Sequence, residues 1–256
     1  MTVLQLTDVT KTFGGFKAVD HISLDVHPGE IVGFLGPNGA GKTTTIKMIA
    51  GLLAPDQGEI CINGRSLRQE PLLCKQDTGY IPDRPWLYEK LTGLEFLHFI
   101  ASLYGQKHSA VSGEAARYLG LFDLIDWQHH LIEGYSHGMR QKLLMTSVFM
   151  LNQPLLVIDE PMIGLDPKSA RIIKELLKQQ AAAGTSILLS THSLEIAEEL
   201  CHRIAIITAG HLRAVGDMEF LRREAGNNHS GLEDIFLELT GAWELQHIIK
   251  ALQERR

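Results

Sequence analysis

Cysteine is scarce in this chain of 256 residues: Cys61, Cys74 and Cys201 are an odd set with no C-x-x-C spacing. That excludes a disulfide scaffold and offers no zinc-ligand pattern, so the thiols read as buried side chains in a reducing compartment. An excess of positive charge is also lacking, since 24 Lys and Arg face 30 Asp and Glu. The net charge of -6 argues against a nucleic-acid binder held by global electrostatics. Nor is there a long hydrophobic run. The longest uncharged stretch, Leu143 to Ile158, is interrupted by Asn152, Gln153 and Pro154, and it falls short of the about 20 apolar residues that a spanning helix needs. Met1 to Phe13 has neither the basic start nor the continuous apolar core of a signal peptide. The expected location is therefore cytoplasmic.

What is present is an ordinary globular composition, 45% hydrophobic and 21% charged, in a chain long enough to bury a core without staples. From Val3 to Val26 the pattern alternates as in strands, most clearly at Val19, His21, Ile22, Leu24 and Val26, with turns at Gly14-Gly15 and Pro28-Gly29. Short apolar runs at Ile31 to Leu35, Leu155 to Ile158, Ile187 to Leu189 and Ile204 to Ile207 alternate with helical patterns at Lys42 to Leu52, Lys168 to Ala183 and Leu194 to Cys201. Buried runs separated by helices imply a parallel sheet. Between Pro85 and Leu151 the period is helical, as in Leu91, Leu94, Phe96, Leu97, Ile100 and Leu103, which predicts an inserted helical lobe over 84–151. A polar stretch around Gly226-Asn227-Asn228 sets off a last amphipathic segment, Leu232 to Leu252. The tail 226–256 reads as an accessory helix.

Gly36-Pro37-Asn38-Gly39-Ala40-Gly41-Lys42-Thr43 matches G-x-x-x-x-G-K-[ST], with a predicted strand before it and a predicted helix after it. Glycines let backbone N–H groups curl around phosphate oxygens, and the helix N-terminus adds a favourable dipole. Lys42 offsets phosphate charge and Thr43 supplies a hydroxyl for Mg²⁺. Leu155-Leu156-Val157-Ile158-Asp159-Glu160 places two carboxylates at the end of a buried strand, where ligands bind in open α/β sheets. Asp159 suits Mg²⁺ through water, and Glu160 is placed to orient or deprotonate an attacking water.

With these two motifs in order, the chain closely resembles the nucleotide-binding subunits of ATP-binding-cassette (ABC) transporters over nearly its whole length. Tyr135-Ser136-His137-Gly138-Met139-Arg140-Gln141-Lys142 is similar to the family signature, whose core is usually Ser-Gly-Gly. Ser136 also suits the N-cap of the apolar helix that follows. Gly164-Leu165-Asp166-Pro167 resembles the D-loop and His192 the switch histidine. Phe13 stands at the adenine-stacking position, and Tyr80-Ile81-Pro82-Asp83 at the Q-loop, with Asp83 where most members have Gln. His137 likewise replaces the first signature Gly.

The resemblance implies an α/β P-loop NTPase core with a mostly parallel sheet, an N-terminal antiparallel β subdomain, an inserted helical subdomain and a C-terminal helical tail, with the nucleotide-binding domain over 1–225. It implies ATP and Mg²⁺ as ligands. The nucleotide would be held by Phe13, Gly36, Pro37, Asn38, Gly39, Ala40, Gly41, Lys42, Thr43 and Thr44, and by Ser136 and Gly138 from a second copy. Thr43, Asp159 and Asp83 would serve the metal, Glu160, His192 and Lys42 catalysis, and Asp166 the contact between copies. The expected partners are a second nucleotide-binding subunit in a head-to-tail homodimer and a separate transmembrane permease at the inner face of the cell membrane. In the family a groove beside the Q-loop receives a helix of that permease, which draws attention to Trp86, Leu87, Tyr88 and Leu91. The tail Gly231 to Gly241 resembles the C-termini of bacterial export ATPases, which favours export. A soluble ABC ATPase acting on a cytosolic protein or nucleic-acid assembly, and a nucleotide-binding regulator without turnover, are the other readings; intact Lys42, Asp159, Glu160 and His192 argue against the last.

Overall fold

The computed structural model describes residues 2–162, 164–226 and 231–241. Strand β1 (Leu4–Phe13) turns through Gly14-Gly15 into β2 (Phe16–Val26). The turn needs positive φ at both central positions, here 53° and 86°, and glycine meets that without steric cost. With β4 (Gln57–Ile62) and β5 (Arg65–Ser66), which the short helix α2 (Pro71–Gln76) follows, this hairpin forms an antiparallel sheet in the order β2-β1-β4-β5.

A second sheet holds β3 (Ile31–Leu35), β6 (Thr78–Ile81), β7 (Leu155–Asp159), β8 (Ser186–Ser190), β9 (Arg203–Thr208) and β10 (His211–Gly216) in the order β10-β9-β3-β8-β7-β6. All its pairs are parallel except β9 with β10. Every residue of β3, β7 and β8 is buried, because both faces of the sheet are covered. The strand period of two sorts them. Val32, Phe34, Leu155 and Val157 pack under the antiparallel sheet and α1 (Lys42–Ile49), while Ile31, Leu156 and Ile158 face the helical side.

Between β6 and β7 lie α3 (Gly93–Leu103), α4 (His108–Leu121) and α5 (His137–Phe149), the helical lobe expected from the sequence. A capping box between Thr92 and Glu95 starts α3, and Phe96, Leu97, Tyr118, Leu143 and Phe149 share one core with the sheet. Of the aromatic segment before α3, Trp86 and Tyr88 are exposed, whereas Leu87 and Leu91 pack against that core. Beyond β7 come α6 (Pro167–Ala182) and α7 (Leu194–Leu200), and α8 (Met218–Glu224) and α9 (Leu232–Thr240) close the described chain. Leu232 and Ile235 of α9 are buried against β9 and α7.

Three expectations are corrected. The first helix stops at Ile49 rather than Leu52, with Gly51 at φ 66° turning the chain away. The last amphipathic segment is broken as a helix at Gly241, which takes φ 71°, and its remainder to Leu252 lies outside the described residues. Of the three free thiols only Cys74 belongs to a fully buried residue, although burial pushes the Cys201 thiol up to about 12.

Candidate functional site

Strand β3 delivers the chain into the loop Gly36 to Gly41, and the loop runs into α1. The packing forces the glycines. A Cβ on Gly36 would strike the carbonyl of Ile207, and one on Gly41, at φ 108°, the carbonyl of Ala18. Gly41 caps α1 with no side-chain hydrogen bond, so the first N–H groups of that helix point toward the loop. Lys42 is buried and arcs back across the loop, its Nζ donating to Gly36 O at 2.6 Å and Pro37 O at 3.1 Å. Burial lowers its pKa, and the carboxylates of Glu160 and Asp159 partly offset this.

Those two carboxylates come from the end of β7. Asp159 is 2% exposed; its Oδ1 accepts a hydrogen bond from Ser190 Oγ, and its Oδ2 has no partner among the described residues. Glu160 sits at φ 52°, a left-handed conformation for a residue with a side chain. The ladder holds it there, its N–H donating to Ser190 O at 3.1 Å. Oε1 of Glu160 lies 2.9 Å from Nδ1 of His192. His192 is fixed from both sides, since Thr191 is buried and takes the Ser193 N–H at 3.0 Å while Ser193 caps α7.

These groups share one cleft of about 640 Å³, lined by Phe13, Phe16, Ala18, Asn38, Gly39, Gly41, Lys42, Thr43, Thr44, Asp83, Asp159, Glu160 and His192. Gly36 and Ala40 are buried beneath it and Pro37 is exposed outside the lining. Burial pushes the Tyr80 hydroxyl up to about 12, and the carboxylates of Asp159 and Asp83 each add to this. Phe16 and Ala18 line the site without having been singled out from the sequence; the signal for Phe16 was its symmetry with Phe13 about Gly14-Gly15. Ser190, which orients Asp159, carried none.

Ser136, Gly138 and Asp166 do not line this cleft. Ser136 caps α5, its Oγ accepting from Met139 N at 3.3 Å. Asp166 caps α6 through Ser169 and pairs with Lys142 Nζ of α5 at 3.2 Å. Hydrogen bonds from Ser169, first its hydroxyl and then its N–H, hold the Asp166 carboxyl well below the usual carboxylate range, and Lys142 adds to this. Arg140, one turn into α5, donates to the carbonyls of Tyr135 and Glu133 at 3.1 Å each and pairs with Glu89.

A glycine-lined loop with a buried lysine at a helix N-terminus, facing a strand-end Asp-Glu pair, defines a P-loop nucleotide-binding protein of the α/β class. Within that class the chain belongs to the ABC transporter family, whose model matches residues 19–163. It is 35% identical over 240 residues to the ABC-type transporter ATP-binding protein EcsA of Bacillus subtilis, covering 94% of this chain and 97% of that one. The linearmycin resistance ATP-binding protein LnrL of Bacillus subtilis is 36% identical over 241 residues, 92% of this chain and 78% of its own. The daunorubicin/doxorubicin resistance ATP-binding protein DrrA of Streptomyces peucetius is 35% identical over 225 residues, 88% and 68% respectively.

A solved ATP-binding subunit of an ABC transporter superposes with a TM-score of 0.90 at 36% identity, covering 93% of this chain and all of that one. An ATP-binding cassette solved as a dimer in a post-hydrolysis state with ADP and Pi shares the fold, with a TM-score of 0.76 at 24% identity over 84% and 98% of the two chains. The chain is thus an ATP-binding, ATP-hydrolysing subunit of the ABC type. Such ATPases dimerise and pair with transmembrane components. Among the described residues no helix is long and apolar enough to cross a membrane.

Proposed function

We propose that this subunit drives export by closing head to tail on a second copy of itself around ATP and Mg²⁺, at the cytoplasmic face of a membrane permease. The observation that carries the reading is the convergence of Lys42, Thr43, Asp159, Glu160 and His192 in one cleft. The loop and Lys42 hold the triphosphate, and Glu160, oriented by His192, takes a proton from the water that attacks the γ-phosphorus in line as its bond to the leaving ADP oxygen breaks. The residues present fit a magnesium ion: the buried Asp159 Oδ2 has no partner among the described residues, and Asp159, Asp83 and the hydroxyl-bearing Thr43 line the same cleft. When bound, the ion would supply positive charge against that of the triphosphate.

Ser136, Gly138 and Asp166 would serve the site of the second copy, and their place outside their own cleft is consistent with that role. We assign 1–225 to the nucleotide-binding domain, 84–151 within it to the helical subdomain, and 226–256 to an accessory tail. Exposed Trp86 and Tyr88, just past Asp83, form the surface for the permease. Export is favoured by the resistance proteins among the relatives and by the tail's likeness to bacterial export ATPases.

The test is a pull-down of tagged Glu160→Gln from detergent-solubilised membranes with ATP, read by mass spectrometry. Stoichiometric recovery of a multi-span membrane protein is the expected result. Recovery only from the soluble fraction, with ribosomal or other cytosolic partners, would overturn the transporter reading.

A further inference from the structure

We propose that Gly210, at the tip of the β9–β10 hairpin, is a positioning residue for the phosphate-binding loop, which it holds through the carbonyl of Ala40 without touching the nucleotide. The inference rests on the nucleotide-binding reading of the cleft and concerns a residue outside the cleft's lining.

Ala209 and Gly210 are the two central residues of the hairpin, since His211 pairs with Thr208. Both take positive φ, 49° and 81°, as a type I′ turn requires. Ala209 is exposed, whereas Gly210 is buried. Both peptide groups of Gly210 bond outside the hairpin. Its N–H donates to Ala40 O at 3.0 Å, and its C=O accepts from the N–H of Asp20, on β2, at 2.9 Å. For the loop Gly36 to Gly41, the first of these is, among the described residues, the one backbone bond to an element other than the flanking β3 and α1.

The approach leaves no room for side chains. A Cβ on Gly210 would stand 3.2 Å from Ala18 O and 3.3 Å from Lys17 O, and one on Gly41 would stand 2.4 Å from Ala18 O. The Ala18 carbonyl therefore lies against two bare Cα atoms, one in the loop and one in the hairpin tip. Close-packed interiors transmit displacement rather than absorb it. A side chain at position 210 would push the tip and β2 apart by a few tenths of an ångström, and the tip carries the partner of Ala40 with it. The N–H groups of the loop would then lose their aim at the phosphate oxygens.

The experiment measures equilibrium binding of ATP and of inorganic tripolyphosphate, the latter probing the loop alone, to the full chain and to Gly210→Ala, Gly210→Asn and Ala209→Gly, each well below its melting temperature. Both Gly210 variants should weaken both ligands by about tenfold and raise KM for hydrolysis by a similar factor, with a smaller fall in kcat. Asparagine accepts positive φ more readily than alanine, so Gly210→Asn should melt closer to the parent and yet bind no better than Gly210→Ala. Ala209→Gly changes the same turn without crowding Ala18 and should bind as the parent does. Parent-like affinity in either folded Gly210 variant would overturn the inference by leaving Gly210 a folding role alone, and so would an equal weakening in Ala209→Gly. If the unsubstituted chain bound both ligands and the Gly210 variants matched it, only this inference would fall; if it bound neither, the nucleotide reading beneath it would fall too.

Discussion

Glu160 and His192 meet across the ends of two adjacent strands, Oε1 to Nδ1 at 2.9 Å, although they stand more than thirty residues apart in the chain. The contact follows from the sheet. Strand β7 ends at Asp159 opposite Ser190, the last residue of β8, so Glu160, one residue past β7, and His192, two residues past β8, emerge side by side. Glu160 is further held by its own N–H on Ser190 O. The imidazole is exposed and the carboxylate is mostly covered, so the histidine meets the glutamate from the open side of the cleft.

Glu160→Gln should lower hydrolysis by about 10²- to 10⁴-fold, the usual contribution of a general base, with nucleotide affinity within a few-fold of the parent. His192→Ala should lower the rate without matching that loss, because Glu160 keeps its backbone anchor. Single-turnover hydrolysis and equilibrium nucleotide binding separate the two effects. Equal loss of affinity and rate in Glu160→Gln would mean that the residue serves binding.

Glu160→Gly should melt no lower than the parent even though it is inactive. A residue with a side chain at φ 52° costs about 1 to 2 kcal/mol against a right-handed alternative, and glycine avoids that cost while giving up a partly exposed polar contact with His192 of small value. Greater flexibility of the glycine variant when unfolded offsets part of the gain. A melting temperature several degrees below the parent would show that the side chain holds the strand end in place.

Much of this site is legible from residue order because its chemistry needs fixed spacing. A lysine six residues after Gly36 reaches back over the loop only if the helix begins where it does, and an Asp-Glu pair at the end of an apolar run falls at the strand ends of a parallel sheet. The edges of the fold are less legible. β10 carries His211 and Arg213 outward, and β6 is four residues long beside a helix, so neither shows the unbroken apolar run that marks β3 and β7. The first helix ends at Ile49, short of Leu52, because amphipathic spacing continues past a left-handed glycine that periodicity does not register. The aromatics after Asp83 divide between surface and core by their place relative to α3, which composition alone does not give.

Asp83→Asn should raise the Mg²⁺ concentration for half-maximal hydrolysis by about tenfold, the scale of losing a water-mediated partner. Affinity for nucleotide without metal should rise, since the cleft sets three carboxylates, Asp83, Asp159 and Glu160, against Lys42. Magnesium titration of the hydrolysis rate, alongside nucleotide binding in chelator, reads both. An unchanged magnesium dependence would remove Asp83 from the metal's surroundings.

Asp166 makes an acid-range prediction. Its folded pKa lies below the ordinary 3.8, so its charge stabilises the folded chain at pH values above the unfolded pKa and the contribution fades as pH falls through the folded one. Asp166→Asn keeps a capping oxygen but loses the charge that Ser169 and Lys142 satisfy. The variant should be less stable above about pH 5 and should converge on the parent as pH drops below about 4, where the unfolded carboxyl begins to protonate. Denaturant midpoints across that range check it, and a gap constant with pH would assign the effect to capping geometry alone.

The last prediction concerns His137, which replaces the glycine usual at its position. A Cβ added on Gly164 would stand only 2.6 Å from Cδ2 of the His137 ring, so the start of α5 and the turn after Glu160 touch through an imidazole and a bare Cα. Gly164→Ala must therefore pay twice, once for φ 78° and once for the ring. The backbone term is about 1 to 2 kcal/mol. The ring is exposed and turns aside on its own torsions, so its share should be a few tenths of a kcal/mol. A double-mutant cycle between Gly164→Ala and His137→Gly should accordingly show coupling below about 0.5 kcal/mol in stability. Hydrolysis should respond more than stability does. The turn that His137 supports begins next to Glu160, and small misplacements of a catalytic group slow the reaction steeply, so His137→Gly should lower the rate by up to about tenfold. Coupling above 1 kcal/mol would show that the ring is pinned, whereas an unchanged rate in His137→Gly would show that the turn keeps its place without it.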